Sequence, residues 1–143
     1  MGILSSSVSI TRYKVEGKLK APVTETLEQA LKKYAISDID GVTSDKTIGW
    51  TSIDNPYQPN FKGASFVFGT VFGFTLRIDR KTIPSKIVQK HYAIEMNRIL
   101  QKTGRKYLAR DEKKMLKDRV VDALGLRIPA TPHLYDVIWH YDE

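Results

Sequence analysis

The stretch SFVFGTVFGFTLRIDR, residues 65–80, carries the strongest β signal in the chain. Phe72, Phe74, Leu76 and Ile78 fall on one parity, and Gly73, Thr75, Arg77 and Asp79 on the other. Side chains alternate across a strand, so this spacing gives a sheet one apolar face. Gly69 and Thr70 interrupt the run where a tight turn fits, which predicts a hairpin over residues 65–80.

Just beyond it the apolar period changes from two to that of a helix. Pro84 and Ser85 make a helix entry with Ser85 as N-cap, and Val88, Tyr92, Met96 and Ile99 then share one face. Gly104 is placed to end that helix. A second helix is expected from Asp111 as N-cap to Leu124, with Gly125 just past its end and Leu116, Val120, Ala123 and Leu124 buried. Upstream, SVSITRYKV (residues 7–15) is rich in β-branched residues and reads as a strand. Val8 and Ile10 lie on one parity and Tyr13 and Val15 on the other, which a bulge near Arg12 would reconcile.

TETLEQALKKYA (24–35) reads as a short helix with Thr24 as N-cap and Leu27, Leu31 and Tyr34 as its stripe. TIGWTSI (47–53) is a short strand. HLYDVIWHYD (133–142) is a final strand, with Tyr135, Val137, Trp139 and Tyr141 on one face. The order of elements predicts an α+β fold: an antiparallel or mixed sheet, one short helix and a longer basic helical hairpin. A chain of 143 residues is expected to make a single domain over 1–143. The last strand has no element after it to cover its edge. That points to part of a longer pattern, or to an edge completed by a second copy in a homodimer.

Charge divides the chain sharply. The net charge is +7, yet residues 77–119 alone hold fourteen Lys and Arg against five Asp and Glu. The connector sequence TGRKY (103–107) adds a flexible glycine and an aromatic ring able to stack on a base or sugar. Helix surfaces normally mix both signs, so a one-signed run over two helices favours a polyanion-binding face over a merely solvated one. The candidate polyanion-contacting residues are Lys86, Lys90, Arg98, Lys102, Arg105, Lys106, Lys113, Lys114 and Lys117.

Catalytic readings find little support. There are no cysteines, which excludes disulfides and thiolate metal sites and suits a reducing, cytoplasmic setting. His91, His133 and His140 lack metal-ligand spacing, and no phosphate-binding glycine loop or nucleophile elbow occurs. Asp38, Asp40, Gly41 and Asp45 imitate a calcium loop but place glycine wrongly for one. Glu112-Lys113-Lys114 has the E-x-K spacing of some metal-dependent nucleases, but three residues specify little and a solvated helix end is the better reading. No catalytic residue, metal site or cofactor is therefore assigned. The start MGILSS fits an N-myristoylation pattern, a degenerate one, and no run approaches the ~18 apolar residues of a membrane span.

Several stretches, taken in order, resemble the recombination-associated RdgC family. These are VSITRYKVEG (8–17), IGW (48–50), IPSKIVQKHYAIEM (83–96), LKDRVVDALG (116–125) and the strand around Trp139. The resemblance runs over nearly all of the chain and covers the N-terminal part of a longer family pattern. It implies a nucleoid-associated protein that binds duplex DNA without marked sequence preference, with single strands left open as a second target. It further implies a ring-shaped homodimer with a positive channel around DNA, and restraint of RecA-promoted strand exchange. Lys86 and Lys117 sit inside matching motifs, while charge is the ground for most of the other basic candidates. Two alternatives stand beside this reading. One is a metal-dependent exonuclease using carboxylates such as Asp38, Asp40 and Glu112. The other is a basic interaction module for an acidic partner.

Overall fold

A computed structural model describes residues 2–142. In chain order the elements are α1 (Val23–Lys33), β1 (Lys46–Thr51), a 3-10 turn (Lys62–Ala64), β2 (Val67–Phe68), β3 (Val71–Arg80), α2 (Ser85–Thr103), α3 (Arg110–Arg127) and β4 (Thr131–His140). The fold is α+β with a four-stranded antiparallel sheet, as the periodicities predict. Two compact units can be distinguished. One comprises the chain up to Asp38, Thr47–Asp79 and the chain from Pro132 onward; the other comprises Ile39–Lys46 and Arg80–Thr131.

In the first unit β3 is the hub, pairing with β1, β2 and β4. The predicted hairpin is present: Val67 pairs with Phe72 and Phe68 with Val71, antiparallel. Gly69, at φ 62°, supplies the left-handed backbone that the two-residue loop requires. Phe72 and Phe74 join Leu27 and Leu31 of α1, together with Phe61 and Phe66, in a core flanked by Trp50, Val137, Trp139 and Tyr141. The rings meet edge to face, as at Trp50 and Phe74, whose centroids lie 5.0 Å apart.

The opposite face of β3 is polar and also buried. The Thr75 hydroxyl donates to Asp136 Oδ1 at 2.7 Å, and Asp79 accepts both arms of the Arg77 fork at 2.6 and 2.7 Å. Among the described residues no buried side-chain polar atom lacks a hydrogen-bond partner. Gly49 is required for a different reason. The Ile36 and Trp50 N–H groups donate to the Trp50 and Tyr34 carbonyls, each at 2.9 Å, and draw the end of α1 onto β1. A Cβ at Gly49 would collide with the backbone of Ile36 and Ala35.

Residues 7–15 do not form the predicted strand. Val8, Ile10, Tyr13 and Val15 are exposed on a chain without regular structure. β-propensity describes how well a side chain fits a pleated surface and does not create the pairing edge; β3 takes β1, β2 and β4 instead. In the same unit α1 begins at Val23 after Pro22 rather than at a Thr24 cap, and the Thr26 hydroxyl donates to Lys20 O at 2.7 Å. Tyr34 is exposed with the Lys33 ammonium over its ring, and Tyr135 is exposed while Val137 and Trp139 pack inward.

The second unit is built on α2 packed against α3. Leu108, Leu116, Val120 and Leu124 are buried, and Val88, Tyr92, Met96 and Ile99 pack on them, as the 3.6-residue period predicts. Pro84, not Ser85, stands at the N-cap of α2, and Gly104 ends the helix in the left-handed conformation. The α3 boundaries differ from expectation at both ends. The helix starts at Arg110, because Glu112 reaches back and its Oε2 accepts the Ala109 N–H at 2.9 Å. It continues through Gly125, which is buried and whose carbonyl accepts from the Lys81 ammonium at 2.8 Å. Ala123 faces outward rather than joining the stripe. Among the described residues no helix is long and apolar enough to cross a membrane.

Candidate nucleic-acid interface

All nine basic candidates lie in the second unit and all are exposed. That unit holds fifteen Lys and Arg against seven Asp and Glu, so it carries the whole net positive charge of the chain. α2 presents Lys86 and Lys90 one turn apart, then Arg98 and Lys102, on the arc outside its Val88–Tyr92–Met96 stripe, Lys102 at the stripe's flank. The connector carries Arg105 and Lys106, and α3 carries Lys113, Lys114 and Lys117 beside its buried Leu116 and Val120.

Not all of these cations are equally available. Arg105 closes a bidentate pair with Glu112, its two terminal nitrogens at 2.8 Å from the two carboxylate oxygens. That pairing raises the Arg105 pKa. The Arg105 hydrogen bonds, and after them the Ala109 N–H, lower the Glu112 carboxyl to about 2. Arg98 makes only a loose contact with Glu95, at 3.4 Å. Among the described residues the seven lysines of the set have no carboxylate within ion-pair distance. A lysine ammonium on a flexible stem is a mobile point charge that can follow a phosphate backbone.

Sequence reasoning did not see the partner of Arg105, which lies seven residues away on the next helix. It also passed over Arg110 and Arg119, exposed on α3 within the same basic run. A glutamate in the first turn of the following helix was the available signal for the first point. Lys81, by contrast, is buried and holds the carbonyls of Val42 and Gly125 together, which gives it a structural role.

Two of the three carboxylates named for the exonuclease alternative are engaged in local structure. Glu112 serves Arg105 and Ala109, and Asp40 Oδ1 accepts the Ala130 N–H at 2.8 Å. Among the described residues no group of three or more His, Asp or Glu side chains is arranged to hold a metal. Where the connector meets α3 the surface dips into a cleft of about 180 Å³. Ile99, Leu108 and Leu116 line it together with Met115, Arg105, Arg119 and Glu112, the carboxylate that Arg105 pairs.

The model of the family described as "Putative exonuclease, RdgC" matches residues 9–127. The match spans β1–β3, α2 and α3, and therefore the entire set of candidate basic residues. No curated protein matches the chain.

Proposed function

The chain belongs to the RdgC family, and from that premise we propose that it binds DNA through phosphate contacts on α2, the connector and α3, without reading base sequence. The observation that carries this is the set of exposed lysines without ion-pair partners, grouped in one unit over two successive helices. Phosphate contacts position a protein on DNA but carry no sequence information, which suits lysines better than a set of bidentate base readers. In the same reading the protein acts as a homodimer on duplex DNA and restrains RecA-dependent strand exchange, as its family resemblance implies.

The test is retention of a labelled duplex over a range of salt. If five cations meet phosphates, log K falls against log salt with a slope of about −4.5 on duplex DNA. Scrambling the target sequence is expected to change little. A flat salt dependence, or a strong preference among scrambled targets, would contradict the proposal. The family description makes exonuclease activity the second reading. Duplex shortened only when magnesium is added would support it, whereas intact retained duplex supports the binder. Absence of retention even at low salt leaves the basic face for an acidic protein partner.

A further inference from the structure

The connector joining α2 to α3 differs from the helices on either side of it. Tyr107 is 75% exposed and Met115 is 65% exposed, among exposed lysines and arginines such as Lys106, Arg110 and Lys114. Tyr107 directly precedes Leu108 in the chain, and Met115 lines the cleft together with Ile99, Leu108 and Leu116. The Arg105 guanidinium at its edge is fixed in one plane by its fork on Glu112, and Arg119 stands at the cleft without an ion-pair partner among the described residues. At about 180 Å³ the cleft is smaller than the ~300 Å³ at the low end for a whole small-molecule ligand, so it suits one ring system.

The groups gathered here have one chemistry in common. A tyrosine ring stacks on planar rings, a methionine thioether favours aromatic edges, and guanidinium planes lie against aromatic faces. The surrounding charge is positive, so the ring should belong to a polyanion. We infer that the connector and its cleft form a subsite for one unstacked nucleobase of a single-stranded segment. Tyr107 stacks on the base, and Lys106 and Arg119 meet the flanking phosphates. This rests on the DNA-binding reading and extends it: the lysine helices treat duplex and single strand alike as phosphate backbones, and the connector adds a preference for exposed bases. An acidic peptide would use the same charges but would have no need of the stacking groups.

The experiment compares binding of the full chain to three probes of equal length at one low salt concentration. The probes are a duplex, a single strand of mixed sequence, and the same strand with stable abasic sites throughout. Base stacking on an aromatic side chain contributes enough that the abasic strand is expected to bind about tenfold more weakly than the normal strand. Tyr107→Ala is expected to erase that difference and leave duplex binding unchanged, while Tyr107→Phe preserves it. Thermal melting of each variant checks that the exposed substitution leaves the fold intact. Equal binding of normal and abasic strands by the unaltered protein, with the duplex retained, would overturn the subsite and leave the DNA-binding reading standing. So would a Tyr107→Ala effect equal on all three probes. Failure to retain any of the three probes would overturn both.

Discussion

The two units build their interiors by different means. In the sheet unit aromatic rings close over one another: Phe66 is 2% exposed, and Phe72 touches the rings of Phe66, Trp139 and Tyr141. In the helical unit the interior is a stripe. α3 buries Leu116, Val120 and Leu124, while α2 buries no residue fully and offers only half-covered side chains. A pair of helices has little interior volume, so most of its surface is open to carry charge. Closed packing is concentrated where rings interlock, and the exposed cations of the basic run lie on the thinner, wetter unit.

Truncations across the two interiors should break or sharpen this contrast most visibly. Phe66→Ala is expected to cost about 3–5 kcal/mol, the range for emptying a fully buried aromatic site. Met96→Ala in the helical unit should cost no more than about 2 kcal/mol, because its side chain is already partly solvated. Denaturant midpoints of the two variants measure this, and equal losses would mean that the helical interior is as closed as the aromatic one. Next in size is Gly49→Ala. The added Cβ meets backbone at Ile36 and Ala35 rather than a flexible side chain, so a loss of about 1–3 kcal/mol or more is expected. A neutral result would show that the α1–β1 junction yields easily.

The third prediction concerns pH and the connector of the helical unit. Glu112 is held near 2, first by the Arg105 hydrogen bonds and then by the Ala109 N–H. A carboxyl depressed in the folded state contributes stability that is present above its unfolded value, about 4.3, and lost as pH falls through the folded value. The clasp should therefore be intact at neutral pH, weaken below about 4.3 and open as pH falls through about 2. A carboxyl-carbon titration should place the Glu112 midpoint near 2, and Arg105→Ala should move it up toward the ordinary range. An ordinary midpoint in the unaltered protein would remove the clasp.

The smallest stability effects belong to the exposed cations. Lys86→Ala and Lys102→Ala are each expected to change stability by no more than about 0.5 kcal/mol. Each should also lower the magnitude of the DNA salt slope by about 1 if that lysine meets a phosphate. Arg105→Ala should affect the slope differently, since it leaves the Glu112 carboxylate unpaired on the basic surface. A slope indifferent to all three substitutions would detach this surface from DNA.

Much of the architecture was legible locally. The turn at Gly69, the end of α2 at Gly104 and the Val88–Tyr92–Met96–Ile99 stripe all follow from spacings within a few residues, and all are present. The regional charge was legible for the same reason, since counting needs no geometry. Other readings failed where a distant group intervened. Gly125 had the chemistry of a helix end, yet α3 runs on to Arg127, with the Gly125 carbonyl taking the buried Lys81 ammonium from 44 residues away. Asp111 had the chemistry of an N-cap, yet Glu112 performs the capping from inside the helix.

By itself, the sequence determined the periods of the elements, the hairpin turn and the confinement of positive charge to one part of the chain. Periodicity and charge density are properties of neighbours along the backbone, and side-chain spacing alone sets them. Only the tertiary structure decided which β-prone segments became strands and which cations stayed unpaired. Residues 7–15 have the composition of a strand but no place in the sheet, because pairing depends on which edges of β3 the other strands occupy. Arg105 and Lys106 look alike in sequence. The fold brings a carboxylate to one and leaves the other to solvent, and ion pairing depends on distances between atoms rather than positions in the chain.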